Sequence, residues 1–212
     1  MPGLCGVILA AGASSRMGKD KALLPWPPGA TEGSTLLSAA ILALRPFTQA
    51  VVVVAGGNAE NLLHVIETCG ASMVRNPAPE RGQFSSLQVG LRAALACGCD
   101  AAMITPVDCP PLSATSLELL VGQFKKAVEQ GRWAVAPESD GKRGHPVLAG
   151  RELIEAFLSA PVTGNAREVK RAHAQFFAYV PVPDRHLSAE MNTPEEYAAL
   201  SALARQNPRQ DL

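Results

Sequence analysis

Continuous apolar runs, set between segments of helical period, constrain this chain more than any other feature. "LCGVILA" (4–10), "AVVVVAG" (50–56) and the interior of "DAAMITPVD" (100–108) show no alternation of polar and apolar residues. A strand with one wet face alternates; a strand covered on both faces does not. Between the runs lie helical patterns at 35–44, 58–69 with Asn58 at the N-cap, 85–98 ending near Gly98, and 113–131. Shorter strands are predicted at 71–76 and 132–138. Beyond residue 140 a loop (140–150) enters a short strand. Helical segments follow at 151–159 and 163–173, then a strand at 175–182. A helix at 192–206 closes the pattern, with Asn192 or Thr193 as its N-cap and Pro194 in its first turn. The alternation predicts a parallel sheet covered on both faces. Right-handed crossovers then bring every strand's C-terminal end to one edge, where open α/β sheets bind ligands. With no repeat, linker or low-complexity block, residues 1–206 read as one domain and 207–212 as a frayed tail.

Composition excludes several classes. Zero net charge argues against broad binding of nucleic acid or of an anionic membrane. With 47% apolar and only 18% charged residues, the chain is not of the disordered type. No apolar run is long enough to span a bilayer, and the N-terminus has no basic leader, so a cytoplasmic location is expected. Cys5, Cys69, Cys97, Cys99 and Cys109 form no CxxC and no ligand spacing. Each is expected to be a reduced, small buried hydrophobe.

The loop after the first strand carries the chemistry. It does not fit G-x4-G-K-[ST], because five residues separate Gly12 from Gly18 and Asp20 follows Lys19. Nor does it fit G-x-G-x-x-G. What stands there is L-A-A-G-x-S-x-R-M-G-x-x-K, residues 9 to 21. Small residues let main-chain N–H groups approach phosphate oxygens. Arg16 offers a planar fork and Lys21 a compact charge, a combination suited to a nucleoside triphosphate. Asp108 ends the "DAAMITPVD" strand, so the topology brings it to the same cleft.

"LAAGASSRMGKDK" resembles the signature loop of the MobA-like nucleotidyltransferases. The likeness continues in order through "LLPW" (23–26), "NPAPERGQFSSLQVGL" (76–91), "TPVDCPPLS" (105–113), "RGHPVL" (143–148) and "MNTPEEY" (191–197). It covers about residues 4 to 200. The resemblance implies a three-layer α/β/α sandwich with a mostly parallel, Rossmann-like sheet of the nucleotide-diphospho-sugar transferase type. It also implies transfer of a nucleotidyl group to a phosphate, with release of pyrophosphate. Leu9-Ala10-Ala11-Gly12, Gly144-His145-Pro146 and the Asn165-Ala166-Arg167 segment are similar to the molybdenum cofactor cytidylyltransferases, whereas guanylyltransferases usually read L-A-G-G. CTP is therefore the expected donor and molybdopterin the expected acceptor, with a molybdoenzyme among the partners.

In this likeness Leu9, Ala10, Ala11, Gly12, Ser14, Arg16, Gly18, Lys21, Gly82, Ser85 and Ser86 bind nucleotide. Gly144, His145, Pro146, Asn165 and Arg167 meet the acceptor. Arg16, Lys21 and Asp108 form the catalytic set: Arg16 and Lys21 stabilise the leaving pyrophosphate, and Asp108 with Asn192 holds Mg²⁺. The family motif usually has Asp where this chain has Asn192, and an amide oxygen brings no charge to the metal. Ser85 and Asn192 also suit plain helix caps. An ionised phosphomonoester needs no general base, so positioning and charge stabilisation carry the reaction. The competing readings are transfer from GTP, a sugar- or alditol-phosphate nucleotidylyltransferase, and a nucleotide-binding regulator without turnover.

Overall fold

The computed structural model describes residues 3–12, 19–27, 33–184, 186, 187, 189, 191 and 193–206. Its pivot is β1 (Leu4–Leu9), hydrogen-bonded in parallel to β2 (Ala50–Ala55) on one side and to β4 (Ala101–Pro106) on the other. β3 (Ser72–Arg75) extends the β2 side. On the β4 side follow β7 (Val147–Ala149), β5 (Ala134–Ser139) and β6 (Lys142–Arg143), with β8 (Phe177–Pro181) paired to β5. The strand order β3-β2-β1-β4 reverses direction of travel at β1, so the crevice between β1 and β4 is the topological switch point.

The sheet departs from the sequence expectation in one respect that matters. β7 runs antiparallel to both β4 and β5, so not every strand ends at the same edge. The cause is local. Asp140 (φ 50°) and Gly141 (φ 73°) close a two-residue turn between β5 and β6 that reverses the chain. Asp-Gly tolerates two successive positive φ angles, and such turns match strand twist. β7 therefore begins at the edge where β1 and β4 end, and this brings residues 144–146 to the cleft.

Both faces of the sheet are covered, as the continuous apolar runs require. α1 (Leu36–Leu44), α2 (Ala59–Thr68) and α4 (Ala114–Glu129) pack on one face, against Ile8, Val51, Val53 and Met103. α3 (Gln83–Ala96) and α5 (Arg151–Ser159) pack on the other, against Val7, Val52, Val54 and Ala102. α6 (Ala166–Ala172) continues that second layer, and α7 (Pro194–Gln206) closes the described chain. No described helix is long and apolar enough to cross a membrane.

Three helix starts refine the sequence reading, and one of them, that of α3, departs from it. α2 has no side-chain cap from Asn58, whose amide is used elsewhere. α3 begins at Gln83, two residues before Ser85, because Gly82 at φ +91° takes the N-cap position. α7 is capped by Thr193, whose hydroxyl accepts from Glu196 N (3.2 Å) while Glu196 Oε2 accepts from Thr193 N (3.0 Å). That reciprocal box needs no cap from position 192.

Helix α3 lies close to the sheet because of Gly90. A methyl there would sit 2.6 Å from Val7 Cγ1 and 2.8 Å from Val54 Cγ2. Both neighbours are β-branched and buried, so neither gives way easily. Gly90→Ala is expected to destabilise the fold by about 1–3 kcal/mol through overpacking, despite alanine's better helix propensity. Chemical denaturation reads this; an unchanged or raised midpoint would mean that α3 can lift without cost.

Candidate active site

The cleft floor is built where β1 ends. Ala10 N donates to Val54 O (2.9 Å), so the chain stays in register one residue beyond the strand. Asn58 then clamps the loop's two ends. Its Nδ2 donates to Ala10 O (3.0 Å) and to Asp20 Oδ2 (2.7 Å), and its Oδ1 accepts from Gly56 N (3.0 Å). Asp20 Oδ1 caps the following 3-10 turn by accepting from Ala22 N (3.1 Å). Gly56 lets β2's end lie against this floor: a Cβ there would be 2.7 Å from Ala11 O. One amide thus holds together residues 10, 20 and 56.

Lys21 leaves that 3-10 turn toward β4, and its Nζ lies 3.3 Å from Asp108 Oδ2. The two side chains are 13% and 24% exposed, so the pair sits in a mouth open to solvent rather than in the core. Met191 N donates to Asp108 O (3.0 Å), which ties the segment before α7 to the same point. Leu9, Ala10, Ala11, Gly12, Asp20, Lys21 and Asp108 line a cleft of about 300 Å³, which Gly82, Gln83 and Ser86 close from the α3 side.

The α3 side is ordered by a buried amide. Asn76 follows β3, and its Nδ2 donates to Ser85 Oγ and to Ser86 Oγ, each at 2.9 Å. Its Oδ1 accepts from Ala78 N (3.0 Å). Ser85 in turn donates to Gly82 O (2.7 Å). The structure therefore separates the two serines. Both are largely buried and accept from Asn76, but Ser86 lines the cleft, whereas Ser85 lies behind it and donates to Gly82 O. Its work is to hold the turn that aims α3, not to cap the helix. The first N–H groups of α3 have no partner within the helix, and the positive end of its dipole faces the cleft at Gly82 and Gln83.

A second cleft, of about 560 Å³, adjoins the first through Leu9, Gly82 and Gln83. Phe84, Leu87 and Phe157 give it an apolar wall, and Arg81, Arg167 and Lys170 bring charge. His145 stands where β4 and β7 meet. Its Nδ1 lies 3.4 Å from Ile104 O. A carbonyl oxygen only accepts, so Nδ1 carries the proton and Nε2 is an acceptor. Burial, then the nearby Lys170 ammonium, push its pKa down from 6.5 to about 4. The ring is neutral at pH 7. Because the folded state binds fewer protons than the unfolded one, the neutral ring's stabilisation is complete above pH 6.5. It falls as the pH drops toward 4. Nitrogen-15 NMR is expected to find the Nδ1-protonated neutral form at pH 7 and a midpoint near 4. A midpoint at the ordinary value would put the ring in water.

The other residues singled out in the sequence fall as follows. Asn165 and Arg167 line the larger cleft, and Asn165 also caps α6 by accepting from Glu168 N (2.9 Å). Gly144 faces a third, adjoining cavity, and Pro146 is buried. Ser14, Arg16, Gly18 and Asn192 lie outside the described residues. Cys5, Cys69, Cys99 and Cys109 are buried as expected, but Cys97 is exposed where α3 ends. Burial chiefly, with the Cys99 and Cys97 thiols beside it, pushes Cys5 up to about 12, so it is inert. Among the described residues no group of three or more His, Cys, Asp or Glu side chains is placed to hold a metal.

Sequence reasoning missed Asp20, Asn58, Arg81, Gln83 and Lys170. Lys170 had a signal, standing three residues from Arg167 on a helix face. Asn58 had none, because an Asn before a helix reads as a cap.

Residues 6–176 match the model of the MobA-like NTP transferase domain. A relative from Mycobacterium avium (strain 104), named "probable molybdenum cofactor guanylyltransferase", is 29% identical over 93% of this chain and 95% of its own length. The molybdenum cofactor cytidylyltransferase of Escherichia coli (strain K12) is 25% identical over 90% of this chain and 92% of its own. Among solved structures, a nucleotidyl transferase from Methanothermobacter thermautotroptrophicus superposes with a TM-score of 0.75 at 20% identity, covering 97% of this chain and 99% of that one. The last similarity is one of fold.

Proposed function

The chain belongs to the MobA-like NTP transferase domain family, and from that premise we propose that it transfers a nucleoside monophosphate from a nucleoside triphosphate to the phosphate of a molybdopterin-type cofactor, releasing pyrophosphate. One observation carries this reading. A small, charged cleft of about 300 Å³ opens onto a larger, partly apolar one of about 560 Å³, and the N-terminus of α3 faces their junction. The triphosphate belongs in the first, the acceptor in the second, and the reacting phosphorus between them.

In this reading the acceptor phosphate attacks the α-phosphorus, and pyrophosphate leaves toward Lys21 and Arg16. No base is required, because a phosphomonoester is already largely ionised at neutral pH. His145 is neutral and cannot stabilise charge; its Nε2 orients the acceptor by taking a hydrogen bond. The α3 amides at Gln83 and Phe84 stabilise negative charge at the junction.

A hard divalent cation such as Mg²⁺ suits the donor set. It needs oxygen ligands, and one or two protein carboxylates suffice when substrate phosphates complete its shell. Asp108 supplies an accessible carboxylate, whereas both oxygens of Asp20 are engaged by Ala22 N and Asn58. Asp108 would hold the ion, with Asn192 as a second, uncharged ligand. When bound, the ion neutralises phosphate charge. Lys21, at the same mouth, would add its ammonium to the charge that meets the phosphates.

CTP is the nucleotide the floor favours. Ala11, which lines the triphosphate cleft, stands where guanylyltransferases usually carry a glycine, and this substitution supports the pyrimidine reading. GTP is the second reading, favoured by the guanylyltransferase name of the M. avium relative. Pyrophosphate release with Mg²⁺, molybdopterin and each of CTP, GTP, ATP and UTP decides between them. Nucleotide binding without release from any of the four would favour a regulator. Ala11→Gly is expected to shift the CTP/GTP ratio of kcat/KM toward GTP by about tenfold, the scale of one methyl in a binding pocket. An unaltered ratio would mean that the base is read elsewhere.

A further inference from the structure

A third cavity, of about 320 Å³, joins the acceptor cleft through His145, Val147, Arg167 and Lys170. Arg143 and Arg171 line this annexe alone. We propose that the annexe is an oxyanion site that takes a second anionic group of the acceptor, remote from the phosphate that reacts. The proposal rests on the reading above, in which the acceptor fills the larger cleft.

Four cations converge here from two directions. Arg167, Lys170 and Arg171 stand at i, i+3 and i+4 on α6 and share a face. Arg143 comes from the opposite wall, its guanidinium carbon 3.7 Å from the centre of the Tyr179 ring. That stacking fixes the plane of the guanidinium and leaves its edge for oxygen ligands. Among the described residues no acidic one lines the cavity. Glu138 reaches Arg143 at 3.9 Å, and none of the three α6 cations makes an ion pair among the described residues. Burial and the neighbouring Arg167 both lower the pKa of Lys170, as unmatched like charges must.

Two simpler explanations fail. Cations at a helix C-terminus answer the dipole, and Lys170 and Arg171 do stand in the last turn. Arg167 stands near the first, where the dipole opposes it, and Arg143 belongs to another element. General basicity fails as well, since the chain has no net charge. A cluster so placed is relieved by an anion with several oxygens, and the cavity admits one of phosphate size. An acceptor with its reacting phosphate at the α3 end and a second oxyanion in the annexe would be fixed at both ends, which sets its register for attack.

The test uses inorganic phosphate as the probe. Arginine side-chain NMR signals of the full chain are followed during phosphate titration at constant ionic strength. Arg143, Arg167 and Arg171 are expected to shift together and saturably. Arg143→Gln with Arg171→Gln should weaken that response about tenfold or more. Arg171→Gln alone, at an exposed helical position, should weaken it in part and guards against misfolding of the double variant. With turnover measured, the double variant should raise the KM for a molybdopterin-type acceptor that carries a second oxyanion while leaving the KM for nucleotide unchanged. No saturable shift, or an equal shift in the variants, overturns the site. A saturable shift with an unchanged acceptor KM overturns its assignment to the acceptor and leaves a site for free phosphate. If no nucleotide supports turnover, the proposed reaction fails, and the titration still decides whether the annexe binds oxyanions.

Discussion

Asp108→Ala is expected to lower the rate of metal-dependent pyrophosphate release by roughly 10²–10³-fold, the usual scale for removing one preorganised charge-stabilising group. The fold should survive. Asp108 sits in an open mouth at the end of β4, and its described side-chain partner is Lys21 at 3.3 Å, itself near solvent. An accessible ion pair of this kind contributes little to stability. Asp108→Asn makes the sharper comparison, since it keeps the shape and removes the charge that would hold the cation. Rates measured across a Mg²⁺ series, with circular dichroism as the check on folding, separate the two roles. Undiminished turnover in the alanine variant would remove Asp108 from the site. Full recovery at high Mg²⁺ in the asparagine variant would mean that its charge sets metal affinity and nothing later.

Asn76→Ala should have the largest effect on stability. The side chain is 2% exposed and satisfies Ala78 N, Ser85 Oγ and Ser86 Oγ at once. Alanine takes the acceptor from the part-buried Ala78 N and the amide donor from two buried hydroxyls, of which Ser85 keeps Gly82 O. We expect a loss of about 2–3 kcal/mol, or roughly 5–10 °C in the thermal midpoint for a chain of this size. The loss should also reach function, because the same amide holds the turn that aims α3 at the cleft junction. Nucleotide affinity should fall with stability in Asn76→Ala, but not in Gly90→Ala, which acts mid-helix. Wild-type affinity in a destabilised Asn76→Ala variant would show that α3 is aimed by its packing on the sheet.

The sheet could be read from the chain because the signal was redundant. Val51 to Val54 and Ala101 to Ile104 are buried on both faces, and only a strand covered by two helical layers removes the need for alternation. The cleft followed from topology, since β1 and β4 are parallel neighbours whose ends must meet. Lys21 and Asp108 stand 87 positions apart in sequence, yet their proximity follows from that rule and from their places just past the two strands.

Other features were settled only by tertiary structure, because they depend on which partner a polar group finds. Asn58 stands before a helix, as a capping residue would, but its amide spans Ala10, Asp20 and Gly56 instead. Ser85 and Ser86 are adjacent, chemically alike and both bonded to Asn76; the helix turns one to Gly82 and leaves the other at the cleft. The reversal of β7 arises from one two-residue turn, yet it carries His145 to the cleft edge, where it lines two adjoining cavities. Periodicity and strand order are properties of the chain summed over many residues, so they survive in the sequence. A hydrogen-bond partner is a single choice among several of nearly equal free energy, and only the packed fold makes that choice.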